Sequence, residues 1–388
     1  MPAFLCGAAA LLCLLLAVHP FAFYPLSLRR LSRTKTPLRG VARVRSRTAA
    51  PSVAICVCAY NEESCIEAKM ANLLDLRAQF GALDILVYVD GSGDRTAELL
   101  APFADRATLI ISPRRHGKTH GMNLLVAQST ADIIVFTDAN VTVDPPAIAA
   151  LVRAFDEPKV GCVCGHLVYT NGQETATAQI GSLYWRLEEQ VKRSESALGA
   201  VMGADGSLFA IRRDLHEPVP ETLIDDMFVS LSILCAGYRV VRAPDALAYE
   251  ASVTVPAEEF RRKIRIACQA FNVHRVLWPR LRRLPTLIVY MYLSHKLLRW
   301  LSGFNLLLSA VLGAVALAML GVPAAALLAG AGAGGLLLAA SVRFQLRPFV
   351  AIAEILIALL GAAAGVLQSL RGQTFQIWTP AASIRRGD

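Results

Sequence analysis

The chain has 388 residues, 55% of them apolar, with a formal charge of +9 and a mean hydropathy of +0.46. An apolar share this high excludes an ordinary soluble globular protein. The charge does not read as a nucleic-acid footprint either: Arg29 to Arg47 holds eight Lys and Arg and Phe260 to Trp300 holds ten, with no acid in either stretch, so the remainder is net acidic. Both basic clusters adjoin apolar runs, which points to anionic lipid headgroups and phosphate-bearing substrates as partners, with no nucleic acid.

In chain order, the first run extends from Met1 to Leu28 without a Lys, Arg, Asp or Glu. It lacks the basic start of a signal peptide, so the pattern predicts an uncleaved membrane anchor near Phe4 to Tyr24. The Arg-rich stretch behind it places that side in the cytoplasm. From Ser52, strand and helix patterns alternate. "VAICVCAY" (Val53 to Tyr60) reads as a buried strand, "EESCIEAKMANLLDLRAQF" as an amphipathic helix, and "DILVYVD" (Asp84 to Asp90) as a second strand. "RTAELLAPFA" then reads as a helix, "TLIIS" (Thr108 to Ser112) as a strand, "KTHGMNLLVAQS" as a helix and "DIIVFTD" as the fourth strand. Strands separated by single helices predict βαβ units and a parallel sheet covered on both faces, with ligands beyond the carboxyl ends of its strands.

The polar residues gather at those ends: Tyr60, Asn61 and Glu62 after the first strand, Asp90, Gly91 and Ser92 after the second, Asp138 and Asn140 after the fourth. One Asp after a strand is commonly a helix cap or turn residue. Three such ends together predict one crevice. Nine cysteines include the pairs Cys56/Cys58 and Cys162/Cys164, whose spacing of two inside strand-like runs puts both thiols on one face and predicts core packing rather than zinc or disulfides.

Beyond this region, Leu284 to Trp300 mixes aromatics with His295, Lys296 and Arg299 and predicts an interfacial helix. Charge-poor runs near Gly303 to Leu320, Ala324 to Val342 and Phe349 to Leu370 predict three spans, since a membrane helix needs ~20 mostly apolar residues. The pattern thus predicts an N-terminal transmembrane helix (1–28), a basic juxtamembrane linker (29–50), an α/β domain (51–283), an interfacial amphipathic helix (284–300), about three transmembrane helices (301–370) and a C-terminal tail (371–388).

In this order, "CAYNEE", "VDGSGDRT", "GKTHGMN", "FTDAN", "GADGSLFAIRRDL" and "IDDMFVSLSILCAGYRV" resemble the membrane-bound family 2 glycosyltransferases, the grouping that includes cellulose, chitin and hyaluronan synthases and many bacterial polysaccharide enzymes. The likeness runs from Pro51 to Arg275, with weaker echoes in "SHKLLRW" and "IWTP". It implies the GT-A fold, a Rossmann-like, mostly parallel sheet in a cytoplasmic domain, joined to helical transmembrane segments. It also implies a multi-pass protein of the bacterial inner membrane. Its reaction would be inverting transfer from a nucleotide diphosphate sugar, UDP-sugars favoured, to a lipid-linked or growing saccharide acceptor in polysaccharide biosynthesis.

The resemblance also implies roles, residue by residue. Ala59, Tyr60, Asn61, Glu62 and Asp90 would form the nucleotide pocket, and Lys118 would compensate the diphosphate charge. Asp138 and Asn140 stand where the family's D-x-D element holds Mg²⁺ or Mn²⁺; one carboxylate and one amide oxygen suffice for a hard cation that also takes substrate phosphates. Asp225 and Asp226 match the Glu and the catalytic Asp of the acidic T-E-D motif, where an acceptor hydroxyl needs a base. Gly203 and Asp205 fall in the acceptor segment, and Asp205 either bonds a sugar or caps a turn. Arg262, Arg265 and Ile266 fall on Q-x-x-R-W, with Arg265 suited to the diphosphate and the stacking Trp missing. Transfer to a polyprenyl phosphate, whose ionised acceptor needs no base, and a non-catalytic scaffold with a degenerate fold are the alternatives.

Overall fold

The computed structural model describes residues 1–34, 50–171, 176–251, 255–344 and 347–377. Most of the basic linker and the "WTP" of Trp378 to Pro380 lie outside these described residues. Two N-terminal helices, α1 (Pro2–Val18) and α2 (Phe23–Thr34), meet at a bend of 58°. The alternation read from the sequence follows: β1 (Val53–Ala59), α3 (Ile66–Phe80), β2 (Leu83–Asp90), α4 (Thr96–Leu100), β3 (Thr108–Ser112), α5 (Lys118–Gln128) and β4 (Ile133–Asp138). Next come β5 (Thr142–Val143), α6 (Ala147–Ala154), β6 (Val160–Tyr169), α7 (Ala176–Leu198), β7 (Leu208–Arg212), α8 (Asp225–Cys235), β8 (Arg239–Glu250) and α9 (Pro256–Leu281).

These strands form one eight-stranded sheet in the order β3-β2-β1-β4-β7-β6-β8-β5. Strands β1 to β4 are parallel, β7 runs antiparallel to both β4 and β6, and β8 is parallel to β6. The carboxyl ends of β4 and β8 therefore open on the same side. Every residue of β1 is buried, and its period-two alternation serves two layers. Val53, Ile55 and Val57 pack with Met70 and Leu73 of α3, while Ala54, Cys56 and Cys58 pack with Met122 and Leu125 of α5. All four paired cysteines are buried, unbridged thiols in the α5-side core, as their spacing suggested. Helix α5 comes so close to β2 that a Cβ on Gly121 would lie 2.2 Å from the Tyr88 ring.

Helices α10 (Thr286–Tyr292) and α11 (Leu298–Met319) are joined by one π-helical turn, Leu293–Leu297, into a continuous 34-residue rod. The segment read as interfacial thus belongs to a rod long and apolar enough to cross a membrane. After α12 (Ala324–Arg343), α13 (Arg347–Leu370) contains a second such stretch, Ile352–Leu370, and the bent α1–α2 pair is a third if it counts as one span. Buried polar contacts join these helices to the sheet domain: Glu195 of α7 accepts from Tyr24 Oη at 2.5 Å, and His295 bridges it to Glu188 at 2.6 and 3.0 Å.

Candidate functional site

The loops after β1 and β2 are tied to each other. Asn61 takes a left-handed backbone (φ 52°), its Oδ1 accepts the Gly93 N–H at 2.9 Å, and its own N–H donates to Ser92 Oγ at 3.1 Å. The N–H of buried Glu62 donates to Thr96 Oγ1 at 2.8 Å, and Ala59 is enclosed as the last residue of β1. Tyr60 lies half-buried with the Arg115 guanidinium over its ring at 3.5 Å, a cation–π contact. Asp90 is 1% exposed and its carboxylate accepts the N–H groups of His116 at 2.7 Å and Gly117 at 3.0 Å. Here Asp90 organises the loop that leads into α5. Gly117 (φ 97°) is required there, since a Cβ would meet the Gln376 carbonyl oxygen at 2.2 Å.

Gln376 closes this rim from the far end of the chain. Its Nε2 donates to the His116 carbonyl at 3.2 Å and to Glu221 Oε2 at 2.7 Å. The segment leading to it is held along α9, where Asn272 and Gln269 donate to the carbonyls of Gln373 and Phe375, each at 3.0 Å.

Lys118, the first residue of α5, gathers the acids of the centre. Its Nζ lies 2.6 Å from Asp138 Oδ1 and 3.6 Å from Asp225 Oδ2. Burial works against its charge, but Asp138, Asp225 and Asp226 outweigh that and hold it well above the ordinary lysine range. Asp225 is buried, and its Oδ2 has no hydrogen-bond partner among the described residues. Asp226, in the first turn of α8, accepts its neighbour's Met227 N–H at 2.5 Å. Burial and then the adjacent Asp225 push its carboxyl up to about 7, against the pull of Lys118. Bare backbone at Gly206 flanks this pair: a Cβ there would sit 3.1 Å from Asp226 Oδ2 and 3.3 Å from Lys118 Nζ.

The remaining expected residues surround this centre. Gly203 (φ 103°) adjoins the Lys296 side chain. Asp205 caps a turn, accepting the Ser207 N–H at 3.0 Å and Oγ at 2.5 Å, with Lys192 Nζ 4.0 Å from its other oxygen. Arg262 pairs with Glu259 at 3.2 Å, and Arg265 donates to Gln269 at 3.2 Å. Burial and the neighbouring Arg262 draw the Arg265 guanidinium down to about 10, with Asp138 opposing. Asn140 donates its amide to Glu250 Oε1 at 2.9 Å.

Glu250 and Lys69 were missed in the sequence. Burial, with Asp138 and Asp205 adding to it against Arg262, raises the Glu250 carboxyl to about 7. Its position at the carboxyl end of a strand was a usable signal, but the direction of β8 relative to β4 is visible only in the fold. Lys69 lies 3% exposed under the β4 loop, donating to the Val141 carbonyl at 2.5 Å and Thr137 Oγ1 at 3.2 Å, and burial draws it down to about 7. No local pattern in its helix marks it as buried.

The donor chemistry suits a hard divalent cation. Asp138, the carbonyl oxygen of Asn140 and Glu250 all offer oxygen atoms, the donor type such a cation takes. Among the described residues no three His, Cys, Asp or Glu side chains converge as a complete metal cage. A bound diphosphate would have to supply the remaining ligands, as Mg²⁺ sites commonly require.

Residues 54–219 match the family model described as Glycosyl transferase family 2. The chain carries a family 2 glycosyltransferase domain. It is 28% identical over 267 residues to an N-acetylglucosaminyltransferase of Sinorhizobium fredii, covering 63% of each chain. It is also 27% identical over 198 residues to a poly-beta-1,6-N-acetyl-D-glucosamine synthase of Staphylococcus aureus, covering 49% of this chain and 47% of that one. This chain spans between 57% and 63% of the length of the four N-acetylglucosaminyltransferases it resembles. The glycosyltransferase domain and its helices superpose on a Pyrobaculum calidifontis mannosyltransferase in complex with GDP-Man and Mn²⁺, at a TM-score of 0.72 and 22% identity, over 95% of this chain and 99% of that one. The fold is GT-A, as the motif order implied, with apolar helices attached.

Proposed function

We propose that this protein is an inverting, metal-dependent glycosyltransferase of the bacterial inner membrane, multi-pass, with its catalytic domain on the cytoplasmic side. It moves a sugar from a nucleotide diphosphate donor to a hydroxyl of a lipid-linked or growing saccharide. The observation that carries this reading is the convergence of Asp138, Asp225 and Asp226 on Lys118, which ties the expected diphosphate side of the site to the expected base.

In this reading Asp226 accepts the proton of the acceptor hydroxyl as that oxygen attacks the anomeric carbon. A carboxyl near 7 is well matched to that work, since a base is most effective when its pKa lies near the working pH. The anomeric carbon–oxygen bond to the diphosphate breaks on the opposite face, so configuration inverts. Lys118 meets the charge of the departing diphosphate, and Arg265 adds a planar cation suited to phosphate oxygens. Asp138, Asn140 and Glu250 would hold Mg²⁺ or Mn²⁺, which supplies Lewis-acid charge neutralisation at the diphosphate. The relatives' names favour N-acetylglucosamine as the transferred sugar. Ile266, where the synthases' motif has an aromatic sugar platform, favours limited rather than processive addition.

The deciding assay uses detergent-purified full-length protein with Mn²⁺ or Mg²⁺, UDP-N-acetylglucosamine, UDP-glucose or GDP-mannose, and a membrane lipid extract, with Asp226→Asn as control. Release of one nucleotide that the variant abolishes supports the reading. No release from any donor sinks it.

A further inference from the structure

The glycosyltransferase motif at 138–140 is one carboxylate short: Asp138 is present, but its usual partner is replaced by the amide of Asn140. The fold brings a different acid to the same place. Strand β5 pairs antiparallel with β8 through Thr142 with Tyr249 and Val143 with Ala248, so continuing that register by one step sets position 250 opposite position 141. Glu250 is anchored there by the adjoining β6, where its carbonyl accepts the Thr170 N–H at 3.0 Å. The amide nitrogen of Asn140 donates to Glu250 Oε1 at 2.9 Å. That bond fixes which way the amide faces: its nitrogen is committed to Glu250, leaving its oxygen as the atom that can face a cation.

We propose that Glu250 is the relocated second carboxylate of the cation site, standing with Asp138 in place of the acid that position 140 lacks and orienting Asn140 as an oxygen donor beside them. The inference rests on the metal-dependent reading above and deepens it. A divalent cation held by phosphates needs few protein charges, but it gains from each, and strand β8 delivers one from a stretch of chain 110 residues away from the motif. Among the described residues Glu250 forms no ion pair with a Lys or Arg: the nearby Arg262 pairs with Glu259 instead. A carboxylate that serves only to anchor an amide does not need its charge, and this distinguishes the two roles by experiment.

The test is Mn²⁺ binding to the detergent-purified full-length protein, read from loss of the free Mn²⁺ paramagnetic resonance signal, without and with UDP. Glu250→Gln keeps the shape and an oxygen that accepts from Asn140, so the fold and the amide's orientation persist while the charge is lost. The expected result is a tenfold or greater weakening of Mn²⁺ binding, largely restored by adding Asn140→Asp in the same chain, which returns the charge to the motif. Mn²⁺ binding by Glu250→Gln equal to wild type, while Asp138→Asn weakens it, overturns the assignment of Glu250 and leaves the metal-dependent reading standing. No Mn²⁺ binding by the wild-type protein under either condition overturns both.

Discussion

At the β2 end of the sheet, Asp90 is enclosed and gives its oxygens to the N–H groups of His116 and Gly117, and Asn61 ties the neighbouring loop to Gly93. Around the end of β4 the acids are crowded instead: Asp138, Asp225 and Asp226 share one lysine, and one Asp225 oxygen lacks a hydrogen bond among the described residues. Asp90 and Asp138 are each the last residue of a strand, while Asp225 and Asp226 open α8. The first group is electrostatically settled and behaves as architecture. In the second, burial and the adjacent Asp225 raise the Asp226 carboxyl to about 7, and our proposal makes this cluster the part of the site that does chemistry. The difference teaches that a strand-end Asp is not by itself catalytic: what its oxygens already bond decides its role.

Four experiments can break or sharpen that contrast. The largest effect is expected from Asp226→Asn, which removes the base and should lower turnover by about 10²- to 10⁴-fold. The same variant should melt at a higher temperature at pH 8. The sign follows from linkage: the folded-state carboxyl is raised to about 7 from its ordinary 3.8, so the folded protein keeps a proton that the unfolded chain has lost. Stability therefore falls as pH rises through that window, and an uncharged residue is spared the loss. A melting curve for Asp226→Asn that is unchanged or lower at pH 8 would contradict the crowding argument.

Next in size is the rate's pH dependence. Because Asp226 must be ionised to accept a proton, the rate constant should decline by about tenfold per pH unit below about 7 and level off above it. A flat profile between pH 5 and pH 8 would remove Asp226 from that role. At the settled end, Asp90→Ala should cost about 2–3 kcal/mol of stability, because two buried loop N–H groups lose their acceptor. Its signature is a lowered melting temperature, and a fully stable variant with lost nucleotide binding would instead make Asp90 a direct ligand. The smallest effect is expected from Lys69→Met, which strips donors from the Val141 carbonyl and Thr137 hydroxyl and should cost about 1–2 kcal/mol. Since burial holds Lys69 near 7, below its unfolded value, wild-type stability gains from this group as pH rises above 7, and the variant should lack that gain.

The first four strands and their helices were legible because each is a local pattern. β1 is buried along its whole length and so reads as a continuous apolar run, and α3 and α5 each bury one stripe. The rule for parallel sheets put the polar residues at the ends of β1, β2 and β4 on one side of the sheet, and the order of motifs pointed to the family. The apolar helices were legible as charge-poor runs, although the rod from Thr286 to Met319 absorbs a stretch whose His295, Lys296 and Arg299 suggested an interface. Those residues face Glu188 and Glu195 of α7, a partner that no local pattern announces.

What the sequence determined by itself was therefore everything that depends on neighbours along the chain: strand and helix periods, apolar run length, and motif spacing. What only the tertiary structure decided was which charges meet. The antiparallel insertion of β7 leaves β8 pointing the same way as β4 and carries Glu250 to Asn140. The packing of α3 beneath the β4 loop makes Lys69 a buried donor to the Val141 carbonyl. The folding back of the C-terminal segment brings Gln376 to His116. Each of these is a contact between residues far apart in sequence, set by strand direction and layer packing, and periodicity carries no record of either.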